Sequence, residues 1–574
     1  MRNILRFVFV IAVLCLSARC GSAASCSVVQ PHAASEADKA LLAADYPKAA
    51  TLYQADLARH PGDAALTAGL VHALLHQEKV REAADAVKAS LAVAPNSAAL
   101  MSLRGEVELR RGTPWAAARS ALDAEKLDPC NAHNRLLVAD IERINSLYAS
   151  SRKELEIAHR LDPNDPDIRG EWIGTLPRKQ RIAEIEAYLS APTGKDEESL
   201  RHWKMYLENL KKTEAEPHKA CRLVSTATAT EIPFQFLMQD ATHVRAFGLD
   251  VKLNGHTARL QIDTGAGGLL ISRSVAQHAG LKEFSKTDVG GIGDEGDKAG
   301  YTAYVDSIHI GNLEFQDCEV EVLRSRNVLE DGDGLIGMDV LSDFLVTLDY
   351  PMRKLLLGPL PPRPGETVAA PGLKTDEAED DDSDEAGEGA KGTAPVAAAT
   401  SSASAVAKET AAKASGTHGP YDRYIAPEMK SYTPVYRVGH FLILPAALNS
   451  EKLNSDNLKL KLFIMDTGAW ATTISPQAAR EVTKVYSNEG ADIEGISGKV
   501  AKVYIADQVN FAFAHVSQKV LGVASFDTSN ISKDVEMEIS GFLGATTLNL
   551  LTTHIDYRDG LVKFDYDPNR GYKF

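Results

Sequence analysis

The chain has 574 residues and a formal net charge of −16, from 62 Lys and Arg against 78 Asp and Glu. It has no basic stripe interleaved with aromatic residues, and this composition excludes nucleic acid as a partner. The sequence also lacks the Gly-x-Ser-x-Gly elbow of serine hydrolases, the His-Glu-x-x-His motif of zinc proteases and a glycine-rich phosphate loop between a strand and a helix. We therefore predict no metal and no cofactor.

The first 24 residues have the pattern of an export signal. Arg2 and Arg6 precede an apolar run over residues 7–16, and residues 22–24 read Ser-Ala-Ala, a small-residue cleavage site. The apolar run is too short to cross a bilayer. We expect residues 1–24 to be a signal peptide, the protein to be exported to the periplasm or secreted, and no stable membrane span to remain. An uncleaved membrane anchor is the alternative.

Four cysteines follow the predicted signal peptide: Cys26, Cys130, Cys221 and Cys318. An oxidising compartment permits two disulfides among them, and the pairing stays open at this point. Their spacing does not indicate a metal site.

A repeat with a period of 34 residues fills much of the region 30–215. Two sets of residues carry it: Pro61, Pro95, Pro129 and Pro163, and Ala49, Ala83, Ala117 and Ser151. Small residues let two helices approach closely, and proline ends the second helix of each unit. The pattern resembles the tetratricopeptide repeat and implies a solenoid of three to four divergent helical hairpins. The concave face of such a solenoid can bind a protein partner. A spacer or a brace against the first β lobe is the equally weighted alternative.

Strand periodicity replaces helical periodicity after Thr230. Short alternating segments separated by glycines predict two all-β lobes, at residues 228–360 and 433–574. In the second lobe, separate strands are predicted at residues 500–505 and 509–514.

The lobes are separated by residues 361–432, which are rich in Pro, Ala, Gly, Ser, Thr and acid. Nine carboxylates lie between positions 376 and 388. So few large apolar residues cannot offset the entropy of ordering, and we predict a disordered acidic tether. Calcium binding is the alternative, but the spacing of an EF-hand loop is absent.

Each lobe contains the same short motif. Residues 261–266 read Gln-Ile-Asp-Thr-Gly-Ala, and residues 464–469 read Ile-Met-Asp-Thr-Gly-Ala. An apolar-apolar-Gly segment ends at Gly337, 74 residues after Asp263, and at Gly544, 78 residues after Asp466. The second β lobe therefore repeats the motifs of the first, which indicates an internal duplication with a long period.

These motifs resemble the aspartic proteases, and the Asp-Thr-Gly-Ala form is similar to the retroviral branch. The resemblance implies that the lobes form one bilobal, pepsin-like site in which Asp263 and Asp466 are catalytic. It assigns loop support to Thr264, Gly265, Thr467 and Gly468, with the two threonines hydrogen-bonded across a pseudo-twofold axis. Whether the lobes pair within one chain or between chains stays open.

A glycine-rich segment in the first lobe is similar to the flap tip of retroviral proteases. The resemblance assigns substrate binding to Gly290, Gly291, Ile292 and Gly293. The second lobe offers only residues 495–498, Gly-Ile-Ser-Gly, so we expect one main flap. An ordinary hairpin turn is the alternative for each glycine cluster.

Together, these patterns predict a multidomain α + β protein, in which a tetratricopeptide-like solenoid precedes two retropepsin-like lobes. The predicted function is that of an aspartic endopeptidase acting on a peptide or protein substrate. The competing hypothesis is a catalytically silent peptide-binding scaffold of the cell envelope.

Overall fold

The computed structural model describes residues 26–30, 33–238, 244–324, 332–364, 421–449, 459–488 and 493–569. The predicted signal peptide and residues 365–420 of the predicted tether lie outside the described residues. Within the described part of the chain, no helix is long and apolar enough to cross a membrane.

The N-terminal region is a helical solenoid, as predicted. Its helices are α1 (Glu36–Leu42), α2 (Tyr46–Arg59), α3 (Ala64–Leu75), α4 (Val80–Val93), α5 (Ala98–Arg110), α6 (Pro114–Leu127), α7 (Ala132–Ile144), α8 (Tyr148–Leu161), α9 (Pro166–Ile173), α10 (Arg178–Leu189) and α11 (Glu197–Ala215). The four periodic prolines each follow the end of α2, α4, α6 or α8. Ala49, Ala83 and Ala117 are fully buried where neighbouring helices cross.

Two further sets of residues share the 34-residue period. Every second helix begins with an N-cap residue whose side chain accepts a hydrogen bond from a backbone N–H of the first turn. These N-cap residues are Asp63, Ser97, Asn131 and Asp165. Residues with left-handed backbone dihedrals lie in the turns that follow α1, α3, α5 and α7: Ala44, Glu78, Gly112 and Ser146. Each unit therefore repeats its caps as well as its core, which explains why divergent sequences keep one hairpin geometry.

The first β lobe follows the solenoid. Its strands are β1 (Arg222–Leu223), β2 (Thr230–Pro233), β3 (Gln235–Met238), β4 (Val244–Leu253), β5 (His256–Asp263), β6 (Leu269–Ser272), β7 (Lys286–Val289), β8 (Lys298–Ile310), β9 (Leu313–Leu323), β10 (Gly334–Gly337), β11 (Phe344–Asp349) and β12 (Lys354–Pro359), with helix α12 (Arg273–His278) after β6. The main sheet runs β1-β9-β6-β10-β5-β4-β8-β7, and pairing of β8 with β9 closes it on itself. Leu249, Val251 and Leu253 are fully buried along one face of β4, which shows the alternation of a half-buried strand.

The second lobe repeats this plan. Its strands are β13 (Thr433–Pro434), β14 (Tyr436–Val438), β15 (Phe441–Asn449), β16 (Lys459–Met465), β17 (Thr473–Ile474), β18 (Val485–Ser487), β19 (Glu494–Gly495), β20 (Gly498–Lys499), β21 (Tyr504–Phe513), β22 (Val516–Ser525), β23 (Gly541–Leu543), β24 (Thr552–Asp556) and β25 (Leu561–Asp565), with helices α13 (Pro476–Arg480), α14 (Ser529–Asp534) and α15 (Ala545–Leu548). The prediction of separate strands at 500–505 and 509–514 is wrong. One strand, β21, runs through the polar pair Asp507 and Gln508, because its long partner β22 continues the ladder past them.

The two lobes join within one chain through a shared sheet. Its order is β13-β25-β24-β11-β12-β2, so three strands come from each lobe. At the junction β11 pairs antiparallel with β24, with Val346 opposite Ile555 and Leu348 opposite Thr553. The apolar residues of both lobes form one buried cluster. The shared sheet therefore fixes how the two Asp-Thr-Gly loops face each other.

The solenoid packs against both lobes. Ile144 of α7 is buried among apolar side chains of the second lobe, including Ile443 and Leu462. In the first lobe, the Asn209 side-chain amide of α11 donates to the Lys286 carbonyl of β7 at 3.2 Å. Arg201, also on α11, pairs with Asp288 of the same strand. The solenoid therefore contacts both lobes, and side chains from several of its helices line one cavity with them.

Two disulfides resolve the pairing that the sequence left open. Cys26 bonds to Cys130 in the solenoid, and Cys221 bonds to Cys318 beside the β1–β9 pair. Such bonds are typical of proteins in oxidising compartments.

The Cys221–Cys318 disulfide closes a loop with a sequence separation of 97 residues. We expect the Cys221→Ser/Cys318→Ser variant to lose about 2–4 kcal/mol in free energy of unfolding, because its unfolded chain is no longer cross-linked. Denaturant titration of the oxidised proteins measures the difference. An unchanged midpoint would show that this bond does not form in solution.

Candidate active site

Each Asp-Thr-Gly loop leaves a strand that is held by a parallel neighbour. In the first lobe Asp263 ends β5 and lies opposite Gly337 of β10. In the second lobe Met465 ends β16 opposite Leu543 of β23, and the Asp466 N–H donates to the Leu543 carbonyl at 3.0 Å. The apolar-apolar-Gly segments thus support the loops from behind, and both aspartates project from rigid elements.

The two threonines exchange hydrogen bonds between the loops. The Thr264 N–H donates to Oγ1 of Thr467 at 3.1 Å, and the Thr467 N–H donates to Oγ1 of Thr264 at 3.0 Å. Each hydroxyl also donates to a main-chain carbonyl of the opposite lobe, Thr264 to Met465 and Thr467 to Ile262. Both threonines are buried. The loops are therefore locked as one unit.

This lock places the two carboxyl groups of Asp263 and Asp466 in hydrogen-bonding contact. The Gly265 N–H donates to Oδ1 of Asp263, and the Ala469 N–H donates to Oδ1 of Asp466, each at 2.8 Å. A Cβ at Gly265 would lie 2.7 Å from Cγ of Asp466, and one at Gly468 would overlap the Asp263 carboxylate. Glycine is required at both positions because each loop passes directly beside the opposite carboxyl.

Burial raises the pKa of both carboxyls. Repulsion from Asp466 raises the pKa of Asp263 further, while the Ala469 N–H opposes the rise in the pKa of Asp466. Two carboxylates in contact cannot both be ionised at low cost, so the pair retains a shared proton. One member can then accept a proton while the other donates one.

Hairpins from both lobes meet above the carboxyl pair. The first is the β7–β8 hairpin with Gly290, Gly291, Ile292 and Gly293 at its tip, and the second is the β19–β20 hairpin with Ser497 at its tip. The Gly291 N–H donates to Oγ of Ser497 at 3.1 Å, and the Ser497 N–H donates to the Ile292 carbonyl at 3.0 Å. The Gly-Ile-Ser-Gly turn of the second lobe is the shorter of the two, and it reaches the first hairpin and bonds to it.

Apolar residues of both lobes are among those that line the cavity holding the carboxyl pair. These are Ala266, Leu270, Ile292, Leu335, Trp470, Phe526 and Phe542. Trp470, which occupies the position of Gly267 in the first lobe, remains 40% exposed and contributes its ring to this lining. These side chains offer apolar contact surface beside the carboxyl pair.

Sequence reasoning missed three residues that shape the site. Ser497 joins the flaps and is 3% exposed. The Gln261 side-chain amide donates to the Gly468 carbonyl at 3.1 Å, which adds a contact between the loops. The buried Asp339 carboxylate accepts the Gly268 N–H at 3.2 Å and so supports the first loop. Only Ser497 carried a signal, its place between two glycines in the segment that corresponds to the first flap.

Each β lobe thus gives one Asp-Thr-Gly loop to a single carboxyl pair. A family model described as aspartyl protease matches residues 249–340, the part of the first lobe that runs from β4 to the segment after β10. No curated protein matches the chain.

Three solved structures are similar to parts of the chain. The aspartic proteinase from Irpex lacteus is 10% identical with a TM-score of 0.33, covering 59% of this chain and 98% of that one. The retropepsin-like aspartic protease from Rickettsia conorii is 20% identical with a TM-score of 0.18, covering 24% and 94%. A thermophilic TPR protein from Thermus thermophilus is 19% identical with a TM-score of 0.24, covering 29% and 90%.

The threonine lock generates a first prediction about the site. We expect Thr264→Val and Thr467→Val each to lower the free energy of unfolding by about 1–3 kcal/mol, because each change leaves a buried N–H and a carbonyl of the other loop unpaired. Chemical denaturation measures the loss. Thr553→Val is the matched control, since the Thr553 hydroxyl is buried without a hydrogen-bond partner among the described residues. A loss as large in the control would contradict the assignment.

The raised pKa of Asp263 predicts how stability depends on pH. The folded protein holds a proton that the unfolded chain releases as the pH rises above the ordinary range of an aspartate, so the dyad opposes folding more at pH 7.5 than at pH 4. We expect Asp263→Asn to raise the thermal midpoint by several degrees at pH 7.5 and to change it little at pH 4. Asp507→Asn, at an exposed position of β21, should show no such difference between the two pH values.

Proposed function

We propose that this chain is an aspartic endopeptidase in which Asp263 and Asp466 activate a water molecule against a peptide bond. The observation that carries the proposal is the contact between the half-buried Asp263 carboxyl and the buried Asp466 carboxyl, each fixed by a backbone N–H of its own loop. A purely structural core would not bring two carboxyl groups together, because burial and mutual repulsion both oppose the ionisation of the carboxyls.

The reaction needs one ionised and one protonated carboxyl. The ionised member takes a proton from water as the water oxygen bonds to the scissile carbonyl carbon, and the protonated member donates to the carbonyl oxygen. The resulting tetrahedral diol collapses when the carboxyl that took the water proton passes it to the amide nitrogen, the other carboxylate takes a proton from a diol hydroxyl, and the C–N bond breaks. The dyad ends in the protonation state in which it began, and no covalent bond to the enzyme forms.

The flaps supply the second requirement, exclusion of water from the reacting bond. Substrate entry requires the contacts of Ser497 with Gly291 and Ile292 to open and then to form again above the bound chain. The cleft between the lobes accepts an extended peptide. We assign the chain to an exported, periplasmic or secreted setting, to which the two disulfides are suited.

Cleavage of a peptide library from pH 3 to pH 8 tests the proposal. We expect wild-type protein to cleave with a bell-shaped pH profile, since activity requires a single proton on the pair. Asp263→Asn and Asp466→Asn should each lose at least about a thousandfold in kcat, as expected when one member of a catalytic unit is removed. A statine-type inhibitor should block the wild type.

The folded state of both variants is checked by their thermal midpoints. If the wild type cleaves nothing and binds peptides as well as either Asn variant does, the cleft is a recognition module. The competing scaffold hypothesis would then replace the peptidase.

A further inference from the structure

The strand that leads into the first flap stands at an edge of its sheet. Among the described strands, β7 pairs only with β8 and is the last strand in the order of the main sheet of the first lobe. An edge strand presents main-chain groups along its free side, and these groups need partners from elsewhere in the molecule.

Helix α11 of the solenoid supplies such partners. The Asn209 side-chain amide donates to the Lys286 carbonyl of β7 at 3.2 Å, and the Lys212 ammonium donates to the Phe284 carbonyl just before β7. The Lys212 ammonium also lies 4.8 Å from the centroid of the Phe284 ring. Because Asn209 and Lys212 are three positions apart, they share one face of the helix. This face of α11 therefore holds the base of the flap.

Further side chains of α11 extend the contact towards the flap tip. Arg201 pairs with Asp288 of β7, and Nε2 of His202 lies 3.7 Å from Oδ2 of Asp297. The Asp297 carboxylate lies against the tip itself, since a Cβ at Gly290 would be 2.8 Å from its Oδ1. Both contacts of α11 are partly exposed, so each contributes little by itself, and the two carbonyl contacts carry most of the anchor.

The solenoid that carries α11 is itself seated on the second lobe. Ile144 is buried in the apolar core of that lobe, and the Glu538 N–H donates to the Arg110 carbonyl at 2.9 Å. Glu198 of α11 also lies 3.4 Å from Lys533 of α14. The first flap is therefore held from a support that is fixed to the lobe carrying the other flap.

We propose that α11 positions the first flap, and that Asn209 and Lys212 are positioning residues for the peptidase function proposed above, on which this inference rests. Neither is among the described residues that line the cavity with the carboxyl pair, so both act through β7. With the base of the flap anchored, the contact between Gly291 and Ser497 forms again once substrate has entered. Without the anchor, fewer molecules have closed flaps, and the apparent affinity for substrate falls with that fraction.

The test removes both donors and measures the flap directly. In Asn209→Ala/Lys212→Met, we expect the Gly291 and Ser497 amides to exchange with deuterium about tenfold faster, because both are hydrogen-bonded only while the flaps meet. Mass spectrometry of peptides that contain these amides measures the exchange. The KM for an apolar peptide should rise about tenfold with kcat within about twofold, because the closed complex keeps the same carboxyl geometry.

Lys211→Met is the matched control, since Lys211 lies on the same helix but pairs with Glu186 of α10. It removes a cation from α11 and should leave both exchange and KM at the wild-type values. Lys212→Arg keeps a cationic donor for the Phe284 carbonyl and should stay closer to wild type than Lys212→Met. Thermal midpoints show which variants are folded. Should the double variant not fold, these two single changes at a partly exposed position carry the same comparison.

Wild-type exchange at both flap tips in the folded variants would overturn the inference. So would a lower thermal midpoint with unchanged KM and exchange, which is the result expected if α11 only joins the solenoid to the first lobe. Deuterium exchange needs no substrate. A protein that cleaves no peptide would therefore remove the peptidase proposal, while the exchange comparison would still decide whether α11 holds the flap.

Discussion

The reciprocal hydrogen bonds between Thr264 and Thr467 are the constraint on which the site depends. They satisfy buried main-chain groups of both loops at once, so neither loop can shift without leaving polar groups unpaired. The same bonds hold Gly265 and Gly468 beside the opposite carboxyl, where a side chain would not fit. The energy of this lock offsets the repulsion between Asp263 and Asp466, and the pair can then persist with its shared proton.

The lock alone does not orient two whole lobes. The sheet shared through β11 and β24 sets the lobes at a fixed distance on one side of the carboxyl pair. The flaps meet on the other side, and the solenoid contacts a flap strand of the first lobe and the core of the second. The cleft is thus bounded by parts of the chain that are far apart in sequence.

Sequence patterns predicted the elements that repeat, because the same residue types at the same spacing form the same local structure each time. The prolines and small residues spaced by 34 positions located the helical hairpins, and the two Asp-Thr-Gly segments located the paired loops. The role of Ser497 was missed, because its place next to two glycines predicts a turn but does not show that this turn meets the hairpin of the other lobe. The disulfide pairing and the contacts of α11 with β7 depend on three-dimensional neighbours, and no spacing along the chain encodes them.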